Sequence, residues 1–443
     1  GRRPGTARLD HGHLSAADGS VVIGGVGNFD GMAETTLRST TRVAGFEDPE
    51  LDFQLLRQLG SVPYGGASVG ECLAVAAQIR ERGASAWTEA FAGLAECQRA
   101  DAEQYDSSGH GVSARDRYLH AANSFRAAEY FASFGTERHI ELGRASRSAF
   151  LAAMHRDPVQ LTEMWLPWRG QLLPGYLLVP PGVSEPGPTL MATSGFDGTL
   201  EETYFQIGVA ALQRGWRVLL ICGPGQMDTA RTEPDTHFVP DTESWVSAWI
   251  DLAAKIPQVD ADLLALVGIS FGGYFASRAA AYEPRIRVLV ANSPIIDLRA
   301  YMTSFVAGMG GDPEEVLTPE EDFSLADIDE IPDDEMPHQI KEMSRSLIRR
   351  FGQSTFLGTF SYLRNFIVDP VTITCPALAL VGTGEGGEPI RQFHAFGQRC
   401  SGPVTSRMFT AAEGADTHCQ LGNLSLSNAV TLDWLENAFS SRA

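Results

Sequence analysis

The sequence predicts an α/β protein, in which an all-helical domain precedes a mostly parallel sheet of about eight strands. Three observations carry that expectation. From residue 159 onward, short β-rich runs alternate with helical runs, as in a parallel sheet covered on both faces. Between about 45 and 156 the apolar residues recur only at helical spacing. At 264–275, LALVGISFGGYF takes a buried-looking strand through a glycine-boxed serine into a helix.

Residues 1–30 are rich in Gly, Ser, Asp and His without apolar periodicity, and read as a flexible arm. Residues 31–158 form the helical domain, with five runs from FEDPELDFQLLRQLG to TERHIELGRASRSAFLAAMH. Gly60, Gly83 and Gly135 stand where helices should stop, and Ser113 with Asp116 has the spacing of a capping box.

Residues 159–443 form the sheet domain. MWLPW and QLLPGYLLVP flank Arg169-Gly170 as a hairpin, and TLMATSG, WRVLLIC, LLALVG, RVLVANS, PALALVG and VTSRMFT supply the remaining strands. The 297–369 segment, with the acidic run PEEDFSLADIDEIPDDEMP, is too long for a connection and reads as an excursion over the strand ends.

With 443 residues, 44% hydrophobic, the chain has ample material for a core. A formal charge of −21, and Lys255 and Lys341 as the only lysines, exclude a nucleic-acid groove, which needs clustered cations. The six cysteines lack paired spacings and are expected to be free thiols. No leader and no membrane-spanning run is read, so a cytoplasmic protein without a membrane partner is expected. The composition is compatible with a homodimer and does not require one.

The chemistry centres on Gly268-Ile269-Ser270-Phe271-Gly272. A strand-to-helix turn this tight has no room for side chains two positions either side of the serine, and it presents the hydroxyl as a nucleophile. The alternative is a glycine-rich turn with a helix-capping serine. The Phe271 amide would then be one oxyanion donor. The Phe196 amide, in SGFDGTLEE after the TLMATSG strand, would be the second.

An elbow serine needs an acid and a base later in the chain. Among ten histidines, His418 in the polar loop AAEGADTHCQLGN stands where the base belongs. His394 and His237 fit surface or packing roles better. For the acid, Glu385 in VGTGEGGEP leads, with Glu388 close behind and Asp297 and Asp369 further back. The same loop matches G-x-G-x-x-G, but no strand with a ribose-binding acid follows, so no cofactor and no metal are expected.

Asp197 is read as ordering the Phe196 loop, with a share in substrate binding, or as a plain turn aspartate. In the helical run SARDRYLHAANSFRAAEYF, Asn123 and Arg126 share a stripe with Leu119 and Tyr130, and Tyr118 lies beside it. Tyr118, Asn123 and Arg126 are therefore candidate substrate contacts, against the alternative of inter-helix packing and salt bridges.

Taken together, SGFDGTLEE, CGPGQ, GISFGGYFASRAAAYEPRI, VGTGEGGEP, GADTHCQLGN and the upstream helical run resemble the α/β-hydrolases related to 2,6-dihydropseudooxynicotine hydrolase. That group includes the fungal yellowish-green polyketide-shortening hydrolases and the fermentation-respiration switch proteins. The resemblance covers roughly residues 45–440. It implies an α/β-hydrolase core beneath a helical lid, and often cleavage of a C–C bond beside a ketone. A serine hydrolase acting on a small-molecule acyl or diketone substrate, with C–C, ester or thioester cleavage open, is the leading expectation. A triad-bearing acyltransferase or cyclase and a non-catalytic regulatory binding protein are the alternatives.

Overall fold

The computed structural model describes residues 22–23, 37–308, 312, 317, 322–332 and 338–440. Most of the 1–30 arm and parts of the 297–369 excursion lie outside these residues. Among the described residues the nine strands are β1 Val22–Ile23, β2 Gln160–Trp168, β3 Gln171–Val179, β4 Gly187–Thr193, β5 Arg217–Ile221, β6 Val259–Ile269, β7 Val288–Asn292, β8 Ala377–Gly382 and β9 Val404–Phe409.

They form one sheet in the order β1-β9-β8-β7-β6-β4-β5-β3-β2. The eight strands read from the sequence are all present. The ninth is the two-residue β1, which pairs parallel with β9 and so docks part of the expected arm at the sheet edge. Only β3 runs antiparallel to the rest, pairing antiparallel with β2 on one side and β5 on the other. Arg169 and Gly170 turn their hairpin with φ of 45° and 82°, the left-handed pair that a two-residue turn demands.

Among the described residues, five long helices lie between β1 and β2: α1 Pro49–Gly60, α2 Val69–Arg82, α3 Trp87–Ser107, α4 Gly111–Tyr130 and α5 Glu137–Met154. Asp48 caps α1 by accepting from the Glu50 and Leu51 amides, and Thr136 caps α5. One expectation fails here: Ser113 is not a cap, because α4 starts at Gly111 and Gly109, at φ 80°, makes the turn before it. Gly60 is the last residue of α1, as its stop signal predicts, and a Cβ there would stand 2.0 Å from the Leu421 carbonyl oxygen. Its lack of a side chain lets α1 approach the loop that follows His418.

Strand side chains alternate between two cores. One face of the sheet, with Leu190, Val218 and Val267, packs against Trp87, Phe91, Phe125 and Phe150 of the helical domain in a continuous core. The other face, with Leu219, Leu266 and Leu289, packs against Trp245, Trp249 and Tyr274. Leu347, Ile348, Phe351 and Phe366 from the excursion join that second core. Burying each such side chain is worth roughly 1.5–3 kcal/mol. Both additions are therefore held to the sheet by apolar contact, and both reach the carboxyl ends of its strands.

Candidate active site

Ser270 sits between β6 and the helix Gly272–Tyr282 with φ of +62°, a left-handed conformation unusual for a residue with a side chain. Glycines make the turn possible. A Cβ at Gly268 would stand 1.9 Å from the Gly272 carbonyl oxygen, and one at Gly272 would stand 2.5 Å from that of Thr193. The Ser270 amide donates to Asn292 O at 2.6 Å, which ties the turn to the end of the neighbouring β7.

His418 Nε2 lies 2.9 Å from Ser270 Oγ, and His418 Nδ1 lies 2.6 Å from Glu385 Oε2. Glu385 is fully buried in the turn after β8. Its Oε1 accepts from the Gly382 amide at 2.8 Å and its Oε2 from Ser293 Oγ at 2.7 Å, so the carboxylate is oriented from two further sides. Burial opposes a charge on His418, but Cys419 and the Glu385 carboxylate favour the imidazolium, and the net direction of its pKa is upward.

The competing acids point elsewhere. Glu388 pairs with Arg391 and accepts from Gln392 at 2.7 Å. Asp369 pairs with Arg399, and Asp297 accepts from the Ala300 amide. His394 lies on the helix Gly387–Arg399, and His237 packs against Gly352.

The two candidate oxyanion amides flank the serine. Neither the Phe196 nor the Phe271 amide donates to another protein group among the described residues. Gly195 keeps them open, since a Cβ there would stand 2.5 Å from the Phe271 nitrogen and 2.8 Å from Ser270 Cβ. The Phe196 and Phe271 rings meet edge to face at 5.4 Å.

A segment that the sequence did not single out ties this cluster together. The Leu37 amide donates to Glu385 O at 2.6 Å, and the His418 amide donates to Arg38 O at 2.7 Å. Thr40 Oγ1 and Thr41 Oγ1 bind the two oxygens of the buried Asp416 at 2.7 and 2.5 Å. Asp416 in turn gives its carbonyl to the Gly384 amide at 2.9 Å. Residues 37–41 thus strap the acid loop to the histidine loop. Asp416, two residues before His418, carried no periodic or motif signal that would have marked it.

Beside the strap lies a cavity of about 460 Å³. Its wall includes Arg38, Phe53, Arg126, Tyr130, Phe196, Asp197 and, from the excursion, Phe305, Met343 and Arg350. Arg126 donates to the Asp197 carbonyl, with Glu202 and Glu129 at 3.5 and 3.7 Å. Asp197 faces Arg57 at 3.3 Å and Arg38 at 3.6 Å. Burial alone would raise its carboxyl pKa, yet Arg57, Arg38 and Arg126 hold it below the usual range.

Tyr118 and Asn123 do not line this cavity. Asn123 Nδ2 donates to Gln58 Oε1 at 3.0 Å and Ser61 Oγ at 2.9 Å, which ties α4 to α1. Tyr118 lies under the Arg156 guanidinium at 5.0 Å, on the other side of α4. Helical spacing placed polar residues on neighbouring stripes, but α4 is buried on nearly all sides along its second half, so spacing could not say which stripe meets the cavity.

The fold and the arrangement at its strand ends define an α/β-hydrolase. The model of the FrsA-like esterases matches residues 81–305, half of the chain, and the chain belongs to that family. It is 30% identical over 365 residues to the alpha/beta hydrolase xenA of Xenoacremonium sinensis, covering 76% of this chain and 82% of that protein. It is 36% identical over 279 residues to the alpha/beta hydrolase psoB of Aspergillus fumigatus, covering 59% of this chain. The chain spans 61% of psoB and 62% of the hydrolase acrC of Aspergillus aculeatus, less than two thirds of either. In structure it resembles 2,6-dihydroxy-pseudo-oxynicotine hydrolase, with a TM-score of 0.65 over 86% of this chain and 95% of that one at 19% identity. Among the described residues no helix is long and apolar enough to cross a membrane.

Proposed function

We propose that Ser270, His418 and Glu385 form a catalytic triad that cleaves an acyl bond of a small molecule, with a C–C bond beside a ketone as the leading target and an ester or thioester next. The observation that carries this is the chain from Ser270 Oγ to His418 at 2.9 Å and from His418 to Glu385 at 2.6 Å, set on a left-handed serine.

His418 Nε2 takes the hydroxyl proton as Ser270 Oγ attacks the carbonyl, while Glu385 holds the opposite ring nitrogen and stabilises the imidazolium. The Phe196 and Phe271 amides receive the developing oxyanion, each worth about 2.7–4 kcal/mol of transition-state stabilisation. His418 then returns its proton to the leaving group, which is the α-carbon of a ketone in C–C cleavage or an oxygen or sulfur in ester cleavage. A water, deprotonated by the same ring, releases the acyl group.

The test is labelling with a fluorophosphonate probe, followed by a panel of 1,3-diketones, aryl esters and acyl thioesters. Labelling of the wild type and its disappearance in Ser270→Ala is the expected result. Equal labelling of both proteins would remove Ser270 from the mechanism, and the ranking of the panel chooses the scissile bond.

A further inference from the structure

Of the arginines that line the cavity, Arg38, Arg42 and Arg126 each have a carboxylate in ion-pair range. Arg350, the last residue of the helix His338–Arg350, has none among the described residues, although it is 1% exposed. Its Nε and Nη2 both donate to the Gly225 carbonyl, at 2.9 and 2.7 Å. Its guanidinium stands over three rings, Phe196 at 4.2 Å, Phe238 at 4.7 Å and Phe134 at 5.2 Å. One carbonyl and three ring faces compensate a buried cation only in part, and a counter-charge in the adjoining cavity would complete it. Burial lowers the Arg350 pKa to about 9, the direction expected of a guanidinium that lacks a bonded carboxylate.

The position of Arg350 adds a second constraint. It lies against the ring of Phe196, the residue whose amide is the candidate oxyanion donor, and both residues line the cavity. The charged neighbours Asp197 and Glu129 are already engaged, by Arg57 and Arg38 and by Arg231 respectively.

We infer that Arg350 is a specificity-determining residue that binds an anionic oxygen on the acyl part of the substrate, a carboxylate or the enolate of a 1,3-dicarbonyl. The inference rests on the reading of Ser270 as nucleophile, and its test separates the two. The first arm compares kcat/KM for 4-nitrophenyl hydrogen glutarate with that for its neutral methyl ester. The wild type favours the carboxylate, Arg350→Gln lowers the ratio at least tenfold, and Arg350→Lys keeps part of it.

The second arm needs no turnover. Glutarate and acetylacetonate are titrated into Ser270→Ala by calorimetry, beside the neutral glutaramide and pentan-2-one, and again with Arg350→Gln added. Tighter binding of at least one anion than of its neutral partner, weakened tenfold or more by the added substitution, supports the site, and which anion binds distinguishes carboxylate from enolate. The inference is overturned if folded Arg350→Gln, checked by its melting temperature, leaves both ratio and binding unchanged, or if neither anion outbinds its neutral partner. Arg350 would then be only a brace between the excursion and Gly225. If no ester turns over and no probe labels, the nucleophile reading fails, while the titrations still decide Arg350.

Discussion

The serine turn and the cavity wall are built in opposite ways. Ser270, its glycines and the Phe271 amide come from five consecutive residues, and backbone sterics fix their geometry. The cavity wall draws on residues 37–53, α4, the loop at Phe196 and two excursion helices. Its charges are held by partners far away in sequence, as when Arg57 grips Glu202 and Asp197 across more than a hundred residues. The serine turn is therefore set locally, whereas the cavity wall, like the contacts that bring His418 and Glu385 to Ser270, depends on how distant segments meet.

That contrast can be broken at several points. Ser270→Ala should abolish turnover, a loss on the order of 10⁶ in kcat, with melting temperature nearly unchanged. Glu385→Gln should lower kcat by about 10⁴, because the ring loses its orienting carboxylate. The sign of its pH effect follows from the raised His418 pKa. With the neutral ring as the proposed base, kcat/KM should fall as pH drops through that pKa, and the acidic limb should lie above the unperturbed value of about 6.5. Without Glu385 the limb moves to lower pH. Glu388→Gln should do neither, and a matching loss there would move the acid role to Glu388.

Gly195→Ala should cost about 10²–10³ in kcat by covering the Phe271 amide, with KM changed less. Asn123→Ala, which strips a buried tie between α4 and α1, should destabilise the fold by about 1–3 kcal/mol in denaturant unfolding. Its KM should stay close to wild type. A large KM change at Asn123 with intact stability would return it to the substrate site.

What the sequence disclosed follows the same division. Every strand but the two-residue β1 was legible, because buried strands are continuous apolar runs between turn residues. The meeting of Ser270, Glu385 and His418 was legible because each lies in a loop that follows a strand, at the strand ends where this topology gathers its loops. The helical stripe around Asn123 was not, since a helix buried on most sides leaves no polar face to orient it. Arg350 carried no signal either: within IRRFG it looks like one of two basic residues ending a helix, and only the fold sets it among three phenylalanines. The boundary at residue 31 also assigned 37–41 to the helical domain, although those residues bond to the acid and histidine loops.

The strap has a consequence in the order of synthesis. Thr40 and Asp416 meet across 376 positions of chain, so all of those positions must leave the ribosome before that contact can close. His418 arrives with the same late segment. A nascent chain therefore carries the Ser270 turn before His418 and Asp416 are there to meet it, and the arrangement closes only when residues 37–41 find residues 416–418.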